Sequence, residues 1–298
     1  MTTLDTLNTL ETLDAEQPHP ARRADRLFPR MAMACVGVGL VVLGALIVEV
    51  LVMGHSRLNL DLLRFFPSSA PEEAGAQSAF FGSIWVIGFT AVLCIPIGVG
   101  AAIYLEEFAD RNRWWNRFIE VNIRNLAAVP SIVYGILGLA LLVRGLHLGQ
   151  TVIAAALTLT LMVLPTVIIA SREAIRAVPS SLRQASIGLG ATPLQTVRKV
   201  VLPAAVPSIA TGVILALSRA IGEAAPLILI GGLSFITFNP NGPGSAFTVL
   251  PIQIFNWISR PQDEYRNLAA AAIVVLLAML LLLNGAAIWI RNHYRRNW

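Results

Sequence analysis

The chain has 298 residues, of which 56% are hydrophobic and only 13% charged. Soluble domains carry about a quarter charged residues, so this chain has too little polar surface to dissolve as a globular domain. Its net charge of +5 does not point to nucleic acid, because the basic residues occupy short segments between long apolar blocks, the arrangement that sets orientation in a bilayer.

The first thirty residues are polar and include Asp5, Glu11, Asp14 and Glu16. A cleavable leader brings its apolar stretch earlier and ends it at a small-residue site, so residues 1–30 are expected to remain as a cytoplasmic tail. A bilayer core takes about 20 apolar residues of helix. Six stretches meet that need, at roughly 31–53, 79–104, 127–146, 149–170, 204–233 and 267–290. The predicted fold class is therefore all-α: a polytopic membrane protein with six transmembrane helices. The fifth stretch is the least regular, because Gly222 and Pro226 interrupt it. Cys35 and Cys94 both fall inside apolar blocks and are expected to be core thiols rather than a disulfide.

With the N-terminus inside, sixteen Lys and Arg residues fall in inner segments and five in outer ones, with Arg219 inside a span. That asymmetry places both termini in the cytoplasm. Residues 105–126 are charged and carry Trp114 and Trp115, which predicts a helix at the inner membrane surface with its indoles at headgroup level.

The cytoplasmic loop 171–203 is the richest in local signals. Ser181 stands three residues before Gln184, and Thr192-Pro193 stands before Gln195, so each half has capping-box spacing and the second has proline at the favoured first position. Gly188 and Gly190 lie between them, where a reversal needs permissive backbone. Pro203 is expected to stop the second helix at the membrane face. The segment Gln184-Ala185-Ser186, three residues, Gly190, nine residues, Val200-Val201-Leu202-Pro203 resembles the loop shared by permease subunits of bacterial ABC importers. That loop reads Glu-Ala-Ala, three residues, Gly, nine residues, Ile-x-Leu-Pro. Glutamine replaces the glutamate and keeps the capping role without the charge. The resemblance implies a type I importer fold and a coupling helix that docks on a cytoplasmic ATPase, with Arg183, Gln184, Ala185, Gly190, Leu202 and Pro203 as its residues here.

In the fifth span, Arg219 stands four residues before Glu223, so the two side chains share a helix face and can pair. Counting from Pro203 at ~1.5 Å per residue puts Arg219 roughly 20 Å into the core, where a charge costs at least about 2.5 kcal/mol. Both residues are therefore expected to face the bundle interior or a water-filled path. Two readings fit: an anion pathway in which a guanidinium meets oxyanion oxygens, or a structural ion pair. Residues 216–227 are similar to the fifth span of the A-type permease subunit of the bacterial phosphate importer. So are residues 95–107, 125–135 and 250–257, within a likeness running from about residue 79 to the C-terminus. This resemblance implies Arg219 and Glu223 as substrate-path residues and a homologous C-type permease as partner. It also implies a dimer of ATP-binding subunits and an extracytoplasmic phosphate-binding protein.

No cofactor is expected in this chain, since it has no Walker phosphate loop and ATP with Mg belongs to the partner ATPase. His19, His55, His147 and His293 are scattered without metal-ligand spacing, and there is no Gly-x-Ser-x-Gly elbow, so the chain is expected to be a non-catalytic permease. The partners are expected to include membrane lipid and no nucleic acid. Alternative functions are a permease for another oxyanion such as sulfate or molybdate, a membrane scaffold that moves nothing, or an intramembrane enzyme, for which no facing nucleophile and base are evident.

Overall fold

A computed structural model of the chain describes residues 23–110, 112–232 and 235–293. It divides into two compact units, Met1–Val50 and Leu51–Trp298. The first unit contains most of α1 (Arg23–Gly54), an all-round apolar helix whose side chains from Leu27 to Glu49 are turned outward. Such a helix is satisfied by lipid and needs no burial within its own chain. That corrects one expectation: Cys94 is a buried core thiol, whereas Cys35 on α1 is exposed. The helix also absorbs residues 23–30 of the predicted tail. Residues 1–22, and Arg111, Arg295 and Arg296 among the orientation-setting cations, lie outside the described residues.

Among the described residues, the second unit is built of helices joined by loops, the longest at 65–76 and 231–249, and its only β pairing is an isolated bridge between Thr151 and Ala246. α2 (Gln77–Ile103) continues into a π-helical turn, Tyr104–Phe108. α3 (Trp114–Ala127) is followed by α4 (Ser131–Leu137), whose coil widens to π over Gly138–Gly145. α5 (Val152–Arg176), α6 (Ser180–Gly188) and α7 (Pro193–Thr196) come next. A π segment, Val197–Val201, joins α7 to α8 (Leu202–Ile221). The chain ends with α9 (Ala225–Leu229), α10 (Leu250–Ile258) and α11 (Asp263–His293).

Among the described residues, five helical runs are long and apolar enough to cross a membrane: Leu27–Arg57, Gln77–Phe108, Val152–Arg176, Pro193–Ile221 and Asp263–Ala286. The third predicted span, 127–146, is not a straight helix. α3 and the run Ser131–Gly145 meet at 106°. The straight part covers about 22 Å, less than the roughly 30 Å core. Pro130 causes the break, because it has no N–H to donate and pushes Val129 out of the helical region. The predicted surface helix is present as α3, with Trp114 and Trp115 both exposed, but it starts nine residues later than the segment 105–126 suggested, since residues 104–108 complete α2.

The fifth span also differs. Its helix runs unbroken from Pro193 to Ile221, so Pro203 does not stop it. The missing N–H of Pro203 falls in the first turn of α8, where the ladder changes from π to α and a donor is not required. The helix instead ends at Gly222, its C-cap. Pro226 then sits in the first turn of α9, where its ring forbids continuation from the turn before.

α5 is the centre of the bundle, buried at Val152, Ala155, Leu159, Val163 and Val167 against α2 and α8. Without a hydrophobic force between helices in lipid, close backbone approach has to supply the attraction. A Cβ on Gly98 would lie 2.6 Å from Val167 Cγ1, and one on Gly212 would lie 2.6 Å from the Ala170 Cβ. The same device locks α4 to α9, since a Cβ on Gly135 would lie 2.7 Å from the Cα of Pro226. Gly135→Leu is therefore expected to destabilise the protein by about 1–3 kcal/mol through overpacking, seen as a lower melting temperature in detergent. Gly100→Ala, at a site with open space, is expected to leave it unchanged.

Candidate functional site

The break between α8 and α9 builds the predicted ion pair. Arg219 lies in the last turn of α8, and Glu223 lies just past the Gly222 cap, its N–H donating to the Ala220 carbonyl at 3.2 Å. The Arg219 Nε lies 3.5 Å from Glu223 Oε1. The four-residue spacing thus yields the predicted pair, but across a helix end rather than along a continuous face. The two partners differ in environment: the Arg219 side chain is 69% exposed in this chain and that of Glu223 only 19%. A guanidinium so open on a span cannot be turned to hydrocarbon.

Arg219 also borders a narrow recess with Ala127, Val129, Ser131, Met162 and Thr166, with space of about 20 Å³, enough for one water. The hydroxyls of Ser131 and Thr166 thus share a recess with the arginine. Ser131 begins α4 directly after the Pro130 break, so the broken helix brings that hydroxyl to α8. Sequence reasoning did not single out either residue. The one available signal was their neighbourhood to Pro130 and Pro165, since prolines in spans free backbone and admit polar groups. On the other side of α8, the Ser218 hydroxyl donates to Asn284 Oδ1 at 2.6 Å and clasps α8 to α11.

The loop 171–203 forms the predicted helical hairpin with one correction. The second capping box is present: the Thr192 N–H donates to Gln195 Oε1 at 2.9 Å and the Gln195 N–H to Thr192 Oγ1 at 3.3 Å, with Pro193 at the first position. The first is not. α6 starts at Ser180 behind Pro179, without a side-chain cap, so Ser181 and Gln184 are already inside the helix and Gln184 has no capping role. The extended ψ of 137° at Pro179 sets the helix start two residues earlier than Ser181 as a cap would. The Ser186 and Thr196 hydroxyls lie 2.9 Å apart and tie the two arms together.

Gly190 takes φ +86° at the reversal, whereas Gly188 stays helical. Gln184, Ala185 and Pro203 are exposed and Leu202 half-buried. The tip carries three further apolar side chains that sequence reasoning passed over, Ile187, Leu189 (90% exposed) and Leu194. Arg183 points back into the protein, where its Nη2 donates to Glu107 Oε1 and to the Ile175 carbonyl, both at 2.8 Å.

The family model described as "Binding-protein-dependent transport system inner membrane component" matches residues 94–297. The probable ABC transporter permease protein YqgI of Bacillus subtilis (strain 168) is 34% identical over 236 residues, covering 78% of each chain. The phosphate transport system permease protein PstA of Haemophilus influenzae is 30% identical over 251 residues, covering 83% of this chain and 86% of that one. PstC of the same organism is 31% identical over 199 residues, covering 58% of this chain and 62% of its own length. Among solved structures, the bacterial importer of the acidic polysaccharide alginate superposes with a TM-score of 0.65 at 14% identity, covering 92% of this chain and 98% of that one. The inward-facing MetNI methionine ABC transporter superposes at 0.57 and 20% identity, covering 74% of this chain and 96% of that one. At these identities the structures share the fold alone.

Proposed function

Because the chain belongs to the family of binding-protein-dependent transport system inner membrane components, we propose that it carries inorganic phosphate inward along a path to which Arg219 and Glu223 contribute. The chain is a multi-pass, non-catalytic permease subunit of an ABC importer. The observation that carries the phosphate reading is the exposed guanidinium of Arg219, paired at the end of a span with a mostly buried carboxylate. A forked donor suits tetrahedral oxyanion oxygens. Glu223 holds the guanidinium while the path is empty and releases it when the anion arrives, so the site does not become a deep anion trap. Relatives of both PstA and PstC name match this chain, which supports a second, homologous permease across the path from Arg219.

The remaining partners follow from the same reading. An extracytoplasmic phosphate-binding protein delivers the anion. A dimer of ATP-binding subunits holds ATP and Mg and docks on the loop 179–203, whose apolar tip at Ile187, Leu189 and Leu194 is left uncovered by the chain itself. Both termini face the cytoplasm, as the distribution of basic residues requires.

Another oxyanion, sulfate or molybdate, would meet the same guanidinium, and uptake separates the cases. Cells lacking their own high-affinity phosphate system and expressing this chain with its neighbouring subunits are expected to accumulate radiolabelled phosphate. Excess unlabelled phosphate should suppress that uptake, while sulfate and molybdate should not. Suppression by sulfate or molybdate would overturn the cargo and leave the permease standing.

A further inference from the structure

The cytoplasmic ends of three helices are joined to the coupling helix by a cluster of buried and part-buried charges. Glu106 and Glu107 lie next to each other in the π turn that ends α2, and their side chains are only 4% and 12% exposed. Glu106 receives Arg176 in a two-pronged contact, Nε to Oε1 and Nη2 to Oε2, both at 3.0 Å. It also receives Arg172 at 3.4 Å. Arg172, itself 10% exposed, reaches Glu120 of α3 at 3.5 Å. The end of α5 is thereby fixed to the ends of α2 and α3.

Glu107 does something different. Its Oε1 accepts from both Nε (3.2 Å) and Nη2 (2.8 Å) of Arg183, the one member of the cluster that α6 presents. Arg183 further donates through Nη1 to the Val178 carbonyl at 2.6 Å and through Nη2 to the Ile175 carbonyl at 2.8 Å. The Ile175 carbonyl lies in the last turn of α5, where it also accepts the Val178 N–H at 3.2 Å, and the Val178 carbonyl lies in the corner after it. One guanidinium therefore ties a carboxylate at the end of α2 to the last turn of α5 and to the corner that follows, using the planar fork that lysine lacks.

A push on an exposed helix reaches the spans only through connections stiffer than a loop. α6 has no fully buried residue, and Leu182 alone among its side chains packs against the hydrophobic core, so apolar packing supplies little of that stiffness. We propose that the Arg183–Glu107 pair is the latch that makes the coupling helix and the inner ends of α2 and α5 move as one body, and that Glu107 is accordingly a positioning residue for transport. The inference rests on the reading that the loop 179–203 docks on the ATPase.

The test uses the whole complex reconstituted in proteoliposomes, with ATP hydrolysis and solute uptake measured together. Glu107→Gln is expected to keep ATP hydrolysis within about two-fold of wild type while uptake per ATP falls about ten-fold, the scale set by orphaning one partner of a part-buried charged hydrogen bond. A second arm replaces Glu107 and Arg183 by cysteine, in a background where Cys35 and Cys94 are serine and alanine. Before linking, this variant should be uncoupled. Joining the two thiols with a short bifunctional reagent should restore uptake per ATP, a ratio that a merely fold-stabilising pair would not move in either variant, because loss of folded complex lowers uptake and hydrolysis together.

Normal uptake per ATP in Glu107→Gln, or a linked complex that stays uncoupled, overturns the latch. If Glu107→Gln fails to assemble, the linked complex decides alone. Failure of the docking reading looks different: Gly190→Trp then couples normally, whatever Glu107 does.

Discussion

Arg219→Ala is expected to lower phosphate uptake by roughly 10- to 100-fold, the loss that follows removal of a charged hydrogen-bond donor worth about 1.5–3 kcal/mol. The complex should still assemble, because the side chain is 69% exposed and contributes little packing to its own chain. Arg219→Lys keeps the charge but not the two-pronged donor geometry and is expected to fall between the two. Glu223→Gln makes the more discriminating variant. If the carboxylate exchanges with the anion, its removal leaves the guanidinium without its partner. The anion is then held longer, so that both KM and kcat for uptake decrease together. A structural ion pair predicts the opposite pattern: loss of assembly in both variants, with normal uptake in whatever fraction assembles. Uptake that survives Arg219→Ala in an assembled complex ends the pathway role of this residue.

Gly190→Trp is expected to leave the hairpin close to folded and to uncouple ATP hydrolysis from uptake by at least about ten-fold. Two effects of the substitution can be separated. A non-glycine residue at φ +86° costs about 1–2 kcal/mol of backbone strain, and asparagine tolerates that conformation best. No atom of the chain lies within 4 Å of a Cβ placed there, so bulk by itself meets nothing until a partner docks. Gly190→Asn therefore isolates strain with little bulk and should retain most coupling, whereas Gly190→Trp adds volume that only a docked surface can oppose. Equal losses in the two variants would assign the effect to the turn and remove the docking argument. The adjacent Leu189, 90% exposed, offers an independent check: Leu189→Asp should weaken co-purification of the ATPase if this tip is the docking surface.

Local chemistry accounts for where prediction succeeded. Residues such as Thr192, Pro193 and Gln195 act through neighbours three positions away, and their capping box formed as spaced. Ser181 and Gln184 had the same spacing but lost to Pro179, which started α6 two residues too early for a cap. Prolines were the recurrent difficulty, because a proline's effect depends on the ladder around it. Pro130 turns the chain by 106° between the surface helix α3 and the run Ser131–Gly145. Pro203 is accommodated where a π segment gives way to an α-helix, and Pro226 opens α9 after the Gly222 cap.

The sequence by itself determined that this is an all-α membrane protein, that most of its spans lie where the apolar blocks lie, and that a capped loop faces one side. These follow from composition and from contacts within a few residues, which any bilayer or water boundary enforces. It also placed Arg219 and Glu223 within reach of each other. Only the tertiary structure decided what those charges meet. Ser131 and Thr166 join Arg219 through a broken helix and a central one. Glu107 finds Arg183 across seventy-six positions of chain. Pairings of that kind depend on which helix faces close-pack, and close packing in lipid is set by glycine contacts such as Gly98 on Val167 and Gly212 on Ala170. Those contacts have no local signature, because each half of the contact is ordinary until the other half is in place.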